Sequence, residues 1–379
     1  MELALSPEEK QVQETVAKFV RKEILPLKKE LEIEGQIPEG ILKGIKDVGL
    51  LKGPFPRKYG GADATFTSLA VGLRELSYGS FVTGWPTFEN FMLAYPLYKY
   101  GSDFLKDRYL PGLISLERMG ALAFTEPNTG SDPKQIVTSA VRKNEAWEIT
   151  GTKRFITLSG ICDHVILFAK TTSGLTAFLV NRSQAGYKSG KRESLISWKG
   201  LDNGDIYLEN YICPQDHVIG HVGQGFEILL DTEAIGKVLF SAMFVGLAQR
   251  ALDLSIEYSN ARLHRWVPIG NKFQMTQYKI ADMAVNVEGM KALLLVACAE
   301  IDKGKNVFKR AAEVKLFVSN QVKRVAALAM EVHGAYGLSM EYEIGLLYSQ
   351  AIAAQVVMGS MDIQRVIVAK ETLRGRSRS

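Results

Sequence analysis

Two short runs in the middle of this 379-residue chain carry residue types that could hold a small ligand. In Phe124-Thr125-Glu126-Pro127-Asn128-Thr129-Gly130-Ser131-Asp132, Thr125 and Ser131 offer hydroxyls, and Gly130 lets backbone N–H groups come close to a bound group. In Gly151-Thr-Lys-Arg-Phe155-Ile156-Thr157, the alternation of a strand puts Phe155 and Thr157 on one face, a ring beside a hydroxyl. Taken alone, the first run is equally a strand-ending turn and the second a core strand of a sandwich. A third run, Gln355-Val-Val-Met358-Gly359-Ser360-Met-Asp-Ile-Gln-Arg365, sets a glycine and a hydroxyl behind a methionine that cannot carry a proton. Two carboxylates elsewhere could do so: Glu89, in Trp85-Pro-Thr-Phe88-Glu89-Asn90-Phe91-Met92, and Glu233, one helical turn before Gly236. Each has a bland reading, Glu89 as a solvated or structural carboxylate and Glu233 as a complement to a helix dipole. His164, His264 and His333 read as structural.

Other chemistries are excluded. Cys162, Cys213 and Cys298 lie far apart without CxxC spacing, so neither a metal site nor a disulfide framework is expected, and a reducing, cytoplasmic setting fits. The start, Met1-Glu2-Leu3-Ala4-Leu5, lacks the basic-then-apolar order of a signal peptide. The net charge of +5 is dispersed apart from the tail Arg374-Gly-Arg376-Ser-Arg378. No basic stripe interleaved with aromatics suggests nucleic acid. Lys237, Gln249 and Arg250 interrupt the most apolar stretch, Ile235 to Leu252, which therefore reads as a buried helix and not a membrane span. No GxGxxG or GxxxxGK[ST] loop follows a strand.

The elements that must position these residues fall into three parts. Ser6-Pro7-Glu8-Glu9 is a helix start with a capping box, and Val12, Val16, Phe19, Val20 and Ile24 follow at helical spacing up to Pro26. Residues 1–117 read as a helical domain. Short alternating runs at Thr138–Arg142, Trp147–Thr150, His164–Ala169 and Leu175–Val180 make residues 118–222 a β-barrel or sandwich domain. From 223 to 379 the chain is helical again, and Val314, Phe317, Val318, Val322, Val325, Leu328, Ala329 and Val332 mark one face of a four-helix-bundle helix. The fold class is α+β, multi-domain.

This order of parts resembles the acyl-CoA dehydrogenase family, and motifs agree with it in sequence order. Phe124–Asp132 resembles the family's TEPxxGSD and Gly151–Thr157 its GxKxWIT. Val245-Gly246-Leu-Ala-Gln-Arg-Ala251 opens the last part, and His333-Gly334-Ala-Tyr336-Gly337 and Gly359-Ser360 with Ile363-Gln364-Arg365 follow. The resemblance implies FAD, held by Thr125, Gly130, Ser131, Phe155 and Thr157 from the β-domain and by Gly334, Gly337, Gly359 and Ser360 from the bundle. It implies a homotetramer or homodimer in which Arg262, in Arg262-Leu-His-Arg-Trp266, reaches a neighbour's pyrophosphate, although the usual Phe-Gly of that motif is absent.

The resemblance also implies an acyl-CoA substrate, a place in fatty acid metabolism and an electron-transfer flavoprotein as acceptor. In the family a glutamate before the Gly-Thr or Gly-Ser pair, or one from the first bundle helix, takes the α-proton; here those positions are Met358 and Gly236. Ser349-Gln350 stands where the family often has Arg-Asp, and Val357 replaces an aromatic. Met358 still offers its backbone N–H to a thioester oxygen. Glu89 and Glu233 are then candidates for a relocated base. A non-catalytic FAD-binding subunit of a hetero-oligomer, and a flavin oxidase or monooxygenase on the same scaffold, remain open as alternatives.

Overall fold

The computed structural model describes residues 4–28, 30–34 and 37–376; the Met1-Glu2-Leu3 start and residues 377–379 of the basic tail lie outside them. The expected capping box forms. Ser6 Oγ accepts from the Glu9 N–H at 3.2 Å, and Glu9 Oε2 accepts from the Ser6 N–H at 2.9 Å, opening α1 (Pro7–Phe19). The helix widens into a π-helical stretch at Val20–Ile24 just before Pro26. The first part continues with α2 (Glu39–Val48), α3 (Phe66–Gly79), α4 (Phe81–Tyr100) and α5 (Asp103–Ile114). α4 is apolar all round, and its residues from Phe81 to Ala94 are all buried, as such a helix must be.

The middle part is one sheet of eight strands: β1 (Gly120–Ala123), β2 (Ser139–Lys143), β3 (Ala146–Thr157), β4 (His164–Thr171), β5 (Gly174–Asn181), β6 (Tyr187–Arg192), β7 (Asn203–Pro214) and β8 (Val218–Ile219). Their order is β6-β7-β3-β2-β4-β5-β8, with β1 parallel to β4. β6 and β8 end the sheet without pairing to each other, so the barrel alternative is corrected to an open sheet. Alternation along a strand fixes which face is buried but says nothing of closure, which depends on stagger between strands. β3 breaks register with β7 twice, between Ile149 and Gly151 and between Lys153 and Ile156. These bulges re-aim its last residues, Phe155 among them.

The last part begins with α6 (Gly225–Ala261), then a hairpin of β9 (Leu263–His264) and β10 (Val267–Pro268), and a single turn α7 (Ile269–Lys272). α8 (Gln274–Asp302), α9 (Phe308–His333), α10 (Ile344–Ala353) and α11 (Met361–Arg376) complete a helical bundle. The expected α9 stripe is its packed face: Val314, Val318, Val322, Val325, Ala329 and Val332 are buried. α6 is wrapped by α3, α4, α8 and α9, and among the described residues no helix is long and apolar enough to cross a membrane. A Cβ at Gly246 would lie 2.1 Å from the Arg74 carbonyl, so only glycine lets α6 approach α3 this closely.

The first and last parts share one core and one largely buried polar network. Glu343 is paired with Lys28 at 2.5 Å and with Arg250 at 2.6 Å, and these two cations hold its carboxyl down at about 2 against the effect of burial. Glu32 accepts from Ser80 Oγ at 2.5 Å and from Gln350 Nε2 at 2.6 Å.

Candidate active site

The first cluster sits where β1 meets β3 and β7. The Thr125 carbonyl accepts from the Arg154 N–H at 2.8 Å, which sets Thr125 beside Phe155. Asn203 Nδ2 donates to the Phe155 carbonyl at 3.1 Å and reaches Thr157 Oγ1 at 3.4 Å. A Cβ on Gly130 would meet only Thr125 Cγ2, at 3.9 Å, so the turn folds back over Thr125 and leaves room. Phe155 has φ of +57° and a ring 50% exposed, held beneath the Arg154 guanidinium at 4.6 Å. A large exposed ring in a strained backbone region is costly without a flat partner to cover it. Thr125, Gly130, Phe155 and Thr157 are thus brought together, while Ser131 lies exposed at the rim.

The device that fixes this turn has no counterpart in the sequence expectations. Glu126, beside Thr125, is fully buried and paired with fully buried Lys153 at 2.8 Å. Its other bonds come from the backbone N–H groups of Val137 at 2.7 Å and Thr138 at 3.1 Å. Burial pushes the Lys153 ammonium down to about 8, and against burial Lys153 holds the Glu126 carboxyl below its usual range. A buried polar pair of this kind is costly to break from either side.

The second cluster belongs to the bundle. Arg262 is exposed and stacks over the Tyr336 ring at 5.6 Å, and Gly334, with φ of +57°, and buried Gly337 flank that tyrosine. His333 is structural, as expected, bonding the Ala329 carbonyl at 2.8 Å and stacking on Tyr258 at 4.4 Å. This turn packs on α9 and α10, whereas Thr125 and Phe155 belong to the β-domain. One chain therefore presents these expected cofactor residues on different elements, and Gly359 and Ser360 lie on yet another, the loop between α10 and α11.

The third cluster is the loop between α10 and α11. Met358 (φ +58°) and Gly359 (φ +80°) are both left-handed, and a Cβ on Gly359 would lie 2.7 Å from Gln364 Nε2. Lys315 Nζ donates to the Ala354 carbonyl at 2.5 Å and to Ser319 Oγ at 3.0 Å. Gln364 Nε2 donates to the Gly359 carbonyl at 3.2 Å. Burial, reinforced by nearby Lys237, pushes Lys315 down to about 7. Among the described residues the Met358 N–H has no protein acceptor, so it is free to meet a ligand oxygen.

Met358 and Gly236 prove to be one place in space. A Cβ on Gly236 would lie 2.5 Å from Met92 Sδ and 3.0 Å from Met358 Cε, so α4, α6 and the loop meet there and two methionines fill the gap. Glu233 is paired with buried Lys237 at 3.3 Å and is 24% exposed. Glu89 differs. It lies one turn from Met92 on α4, is 6% exposed and, among the described residues, has no cationic partner. Burial raises its carboxyl to about 8, opposed only by the Leu122 N–H.

A groove of about 340 Å³ opens near the start of α6, lined by Lys134, Lys170, Pro133, Ile136, Leu175 and Phe226. Among the described residues no three His, Cys, Asp or Glu side chains are placed to hold a metal, and the three cysteines are buried and unpaired.

Comparison with known proteins agrees along the whole length. The N-terminal, middle and C-terminal domain models of acyl-CoA dehydrogenase match residues 6–117, 121–211 and 223–373. A 3-(aryl)acrylate reductase of Clostridium sporogenes is 31% identical over 94% of this chain and 96% of its own. Solved butyryl-CoA dehydrogenase from Megasphaera elsdenii superposes with a TM-score of 0.96 at 26% identity, covering 98% of this chain and 100% of that one. The FAD complex of PigA superposes at 0.92 and 26% identity, covering 98% and 99%. On these matches, and on the three clusters that carry its motifs, the chain belongs to the acyl-CoA dehydrogenase family.

Proposed function

We propose that this protein is an FAD-dependent oxidoreductase that exchanges hydrogen with an acyl-CoA thioester, using Glu89 as the proton-carrying group. FAD is the cofactor of this family and supplies a hydride acceptor or donor when bound. The residues suit it: the exposed Phe155 ring is a shelf for a flat ring system, Thr157 and Thr125 offer hydroxyls, and Gly359 holds a left-handed φ of +80° that a side chain would strain. In the groove near Phe226, two lysines over an apolar floor suit the phosphates and pantetheine arm of CoA. The Met358 N–H is a donor for the thioester oxygen.

The observation that carries the reading is Glu89, a buried acid with no cationic partner among the described residues, one turn along α4 from Met92, which with Met358 occupies the space at Gly236. A carboxyl near 8 can take or give a proton close to neutral pH. Glu233 is committed to Lys237.

The Arg262–Tyr336 group is proposed to reach the FAD of a second copy. Trp266, 91% exposed at the hairpin tip, and Met275, Tyr278 and Val285 of α8 form an apolar surface that suits a homotetramer. A relative from Acetobacterium woodii, 28% identical, is named as a subunit of a caffeyl-CoA reductase-Etf complex, which supports an electron-transfer flavoprotein as redox partner. Three unpaired cysteines suit the cytoplasm.

The test is anaerobic titration of the FAD-loaded protein with a panel of acyl-CoA thioesters, following loss of flavin colour. Bleaching is expected, rising with pH through about 8; Glu89→Gln slows it about 10²- to 10⁴-fold and Glu233→Gln less than tenfold. An unaffected Glu89→Gln variant sinks the assignment. Bleaching seen only when a second, glutamate-bearing subunit is added favours the reading that Met358 marks a non-catalytic partner.

A further inference from the structure

A second cavity, of about 380 Å³, opens at the opposite end of the β4–β5 hairpin from the groove at Phe226. Arg108 and Tyr109 of α5, Arg118 of the turn before β1, Asp163 and His164 at the start of β4, and Asn181 at the end of β5 line it. His164 pairs with Asn181 across the hairpin, whereas Lys170 and Leu175, which line the groove, pair at its other end. Six residues of strand separate His164 from Lys170, about 20 Å. On the other side of β4, Gly120 lies opposite His164, so the Thr125 turn follows the far end of β1. The cavity therefore belongs to neither the groove nor the Thr125 cluster.

Its charges are uneven. Arg118 is paired with Asp163 at 3.2 Å, and the other Asp163 oxygen accepts from the Met119 N–H at 2.8 Å. Arg108 lies over the Phe104 and Tyr109 rings at 5.7 and 5.5 Å and, among the described residues, pairs with no carboxylate. His164 packs edge-on against the Tyr109 ring at 4.9 Å, and neither of its ring nitrogens has a hydrogen-bond partner among the described residues. Tyr109 Oη is bonded to His217 at 2.7 Å, and His217 is paired in turn with Asp216 at 2.7 Å. Burial holds His164 below its usual range, opposed by Asp163 and reinforced by Arg118, His217 and Arg108.

Two guanidiniums thus face one carboxylate and a neutral imidazole. A dianion that also drew a proton onto His164 would bring the lining to neutrality. A carboxylate carries one charge on two oxygens. A phosphoryl group carries up to two on three, enough for both guanidiniums and the imidazole at once. The cavity has room for more than that group, and its remaining wall is polar: Ser183 donates its hydroxyl to Asn181 Oδ1 at 2.8 Å, which leaves Asn181 Nδ2 to donate into the space.

We propose that this cavity is a second ligand site, which binds the phosphomonoester of a small hydroxylated molecule. Arg108 and Arg118 hold the phosphoryl oxygens, His164 takes up a proton as they arrive, and Asn181 meets the hydroxyl-bearing body.

Calorimetric titration of the FAD-loaded protein tests this with sulfate, ribose 5-phosphate and succinate at constant ionic strength, in buffers of different ionisation heat. Sulfate stays a dianion from pH 8 to pH 6, so a proton taken up on its binding goes to the protein. Uptake of a large part of one proton is expected, with affinity for sulfate rising about tenfold over that range. At neutral pH ribose 5-phosphate should bind about tenfold more tightly than succinate, and more tightly than sulfate. His164→Gln should abolish the proton uptake, Arg108→Gln should weaken sulfate and ribose 5-phosphate about fivefold or more, and Lys170→Gln should leave both unchanged. Succinate bound as tightly as ribose 5-phosphate, or sulfate bound without proton uptake, overturns the proposal in the wild-type protein alone. Binding that survives Arg108→Gln but is lost in Lys170→Gln places the anion in the groove at Phe226 and overturns it as well.

Discussion

Met358 keeps a backbone donor and has no carboxylate, and in the proposed site Glu89 provides the carboxyl from a different element. The two positions differ in how far sequence alone reveals them. Met358 and Gly236 stand out only against the family pattern, and that they fill one gap with Met92 follows from the helix crossing, which no local motif encodes. Glu89 sits in Phe-Glu-Asn-Phe, which is compatible with a solvated face; its burial is set by neighbours on β1 and α6. Lys237 and Lys315 look like mere interruptions of apolar stretches, yet Lys315 bonds the Ala354 carbonyl at the end of α10 and Lys237 pairs with Glu233. Burial at Glu89 has a thermodynamic signature. Its carboxyl binds a proton more tightly folded, at about 8, than unfolded, at the ordinary 4.5. This stabilising contribution is fully present below pH 4.5 and falls as pH rises through 8. Glu89→Gln should remove that part of the slope, so that its melting temperature falls less than the wild-type value between those pH limits; parallel melting curves against pH would contradict a buried, proton-binding Glu89.

At the scale of elements, strands and helices are largely legible because their periodicity is: the α9 stripe, the capping box of α1 and four of the middle strands form where the pattern places them. Sheet closure is not legible, and neither are the two bulges of β3, which depend on register with β7. The Glu126–Lys153 pair is hidden for a related reason. Its partners are 27 residues apart and meet only once β1 and β3 are placed. Lys153→Met leaves Glu126 buried with backbone donors alone, and is expected to lower stability by about 3–5 kcal/mol in urea titrations. FAD affinity should fall with it, because the Thr125 turn loses its anchor. The double variant Glu126→Gln, Lys153→Met should recover part of the stability; no recovery would mean that the pair is not coupled.

At the scale of the whole molecule, the residues that hold FAD by family resemblance fall into three groups on separate elements, and the apolar hairpin beside Arg262 suits contact with another copy. Trp266→Asp is therefore expected to shift the assembly to smaller species in light scattering and to release FAD, with the helical content unchanged. An unchanged mass with full FAD occupancy would place the interface elsewhere. The buried network of Lys28, Glu343, Arg250, Glu32 and Gln350 has a different consequence, in time and not in space. The first helical part shares its core and its buried charges with the last, so during synthesis it must wait, with an apolar α4 and an unpaired Lys28, until more than two hundred further residues have emerged. At ribosomal rates that interval is on the order of ten seconds or longer. The sheet inserted between the two parts can form meanwhile, since its strands pair with one another. Nascent chains halted near residue 260 should then yield a protease-resistant middle and a sensitive N-terminal third, which becomes resistant only after α10 has left the ribosome.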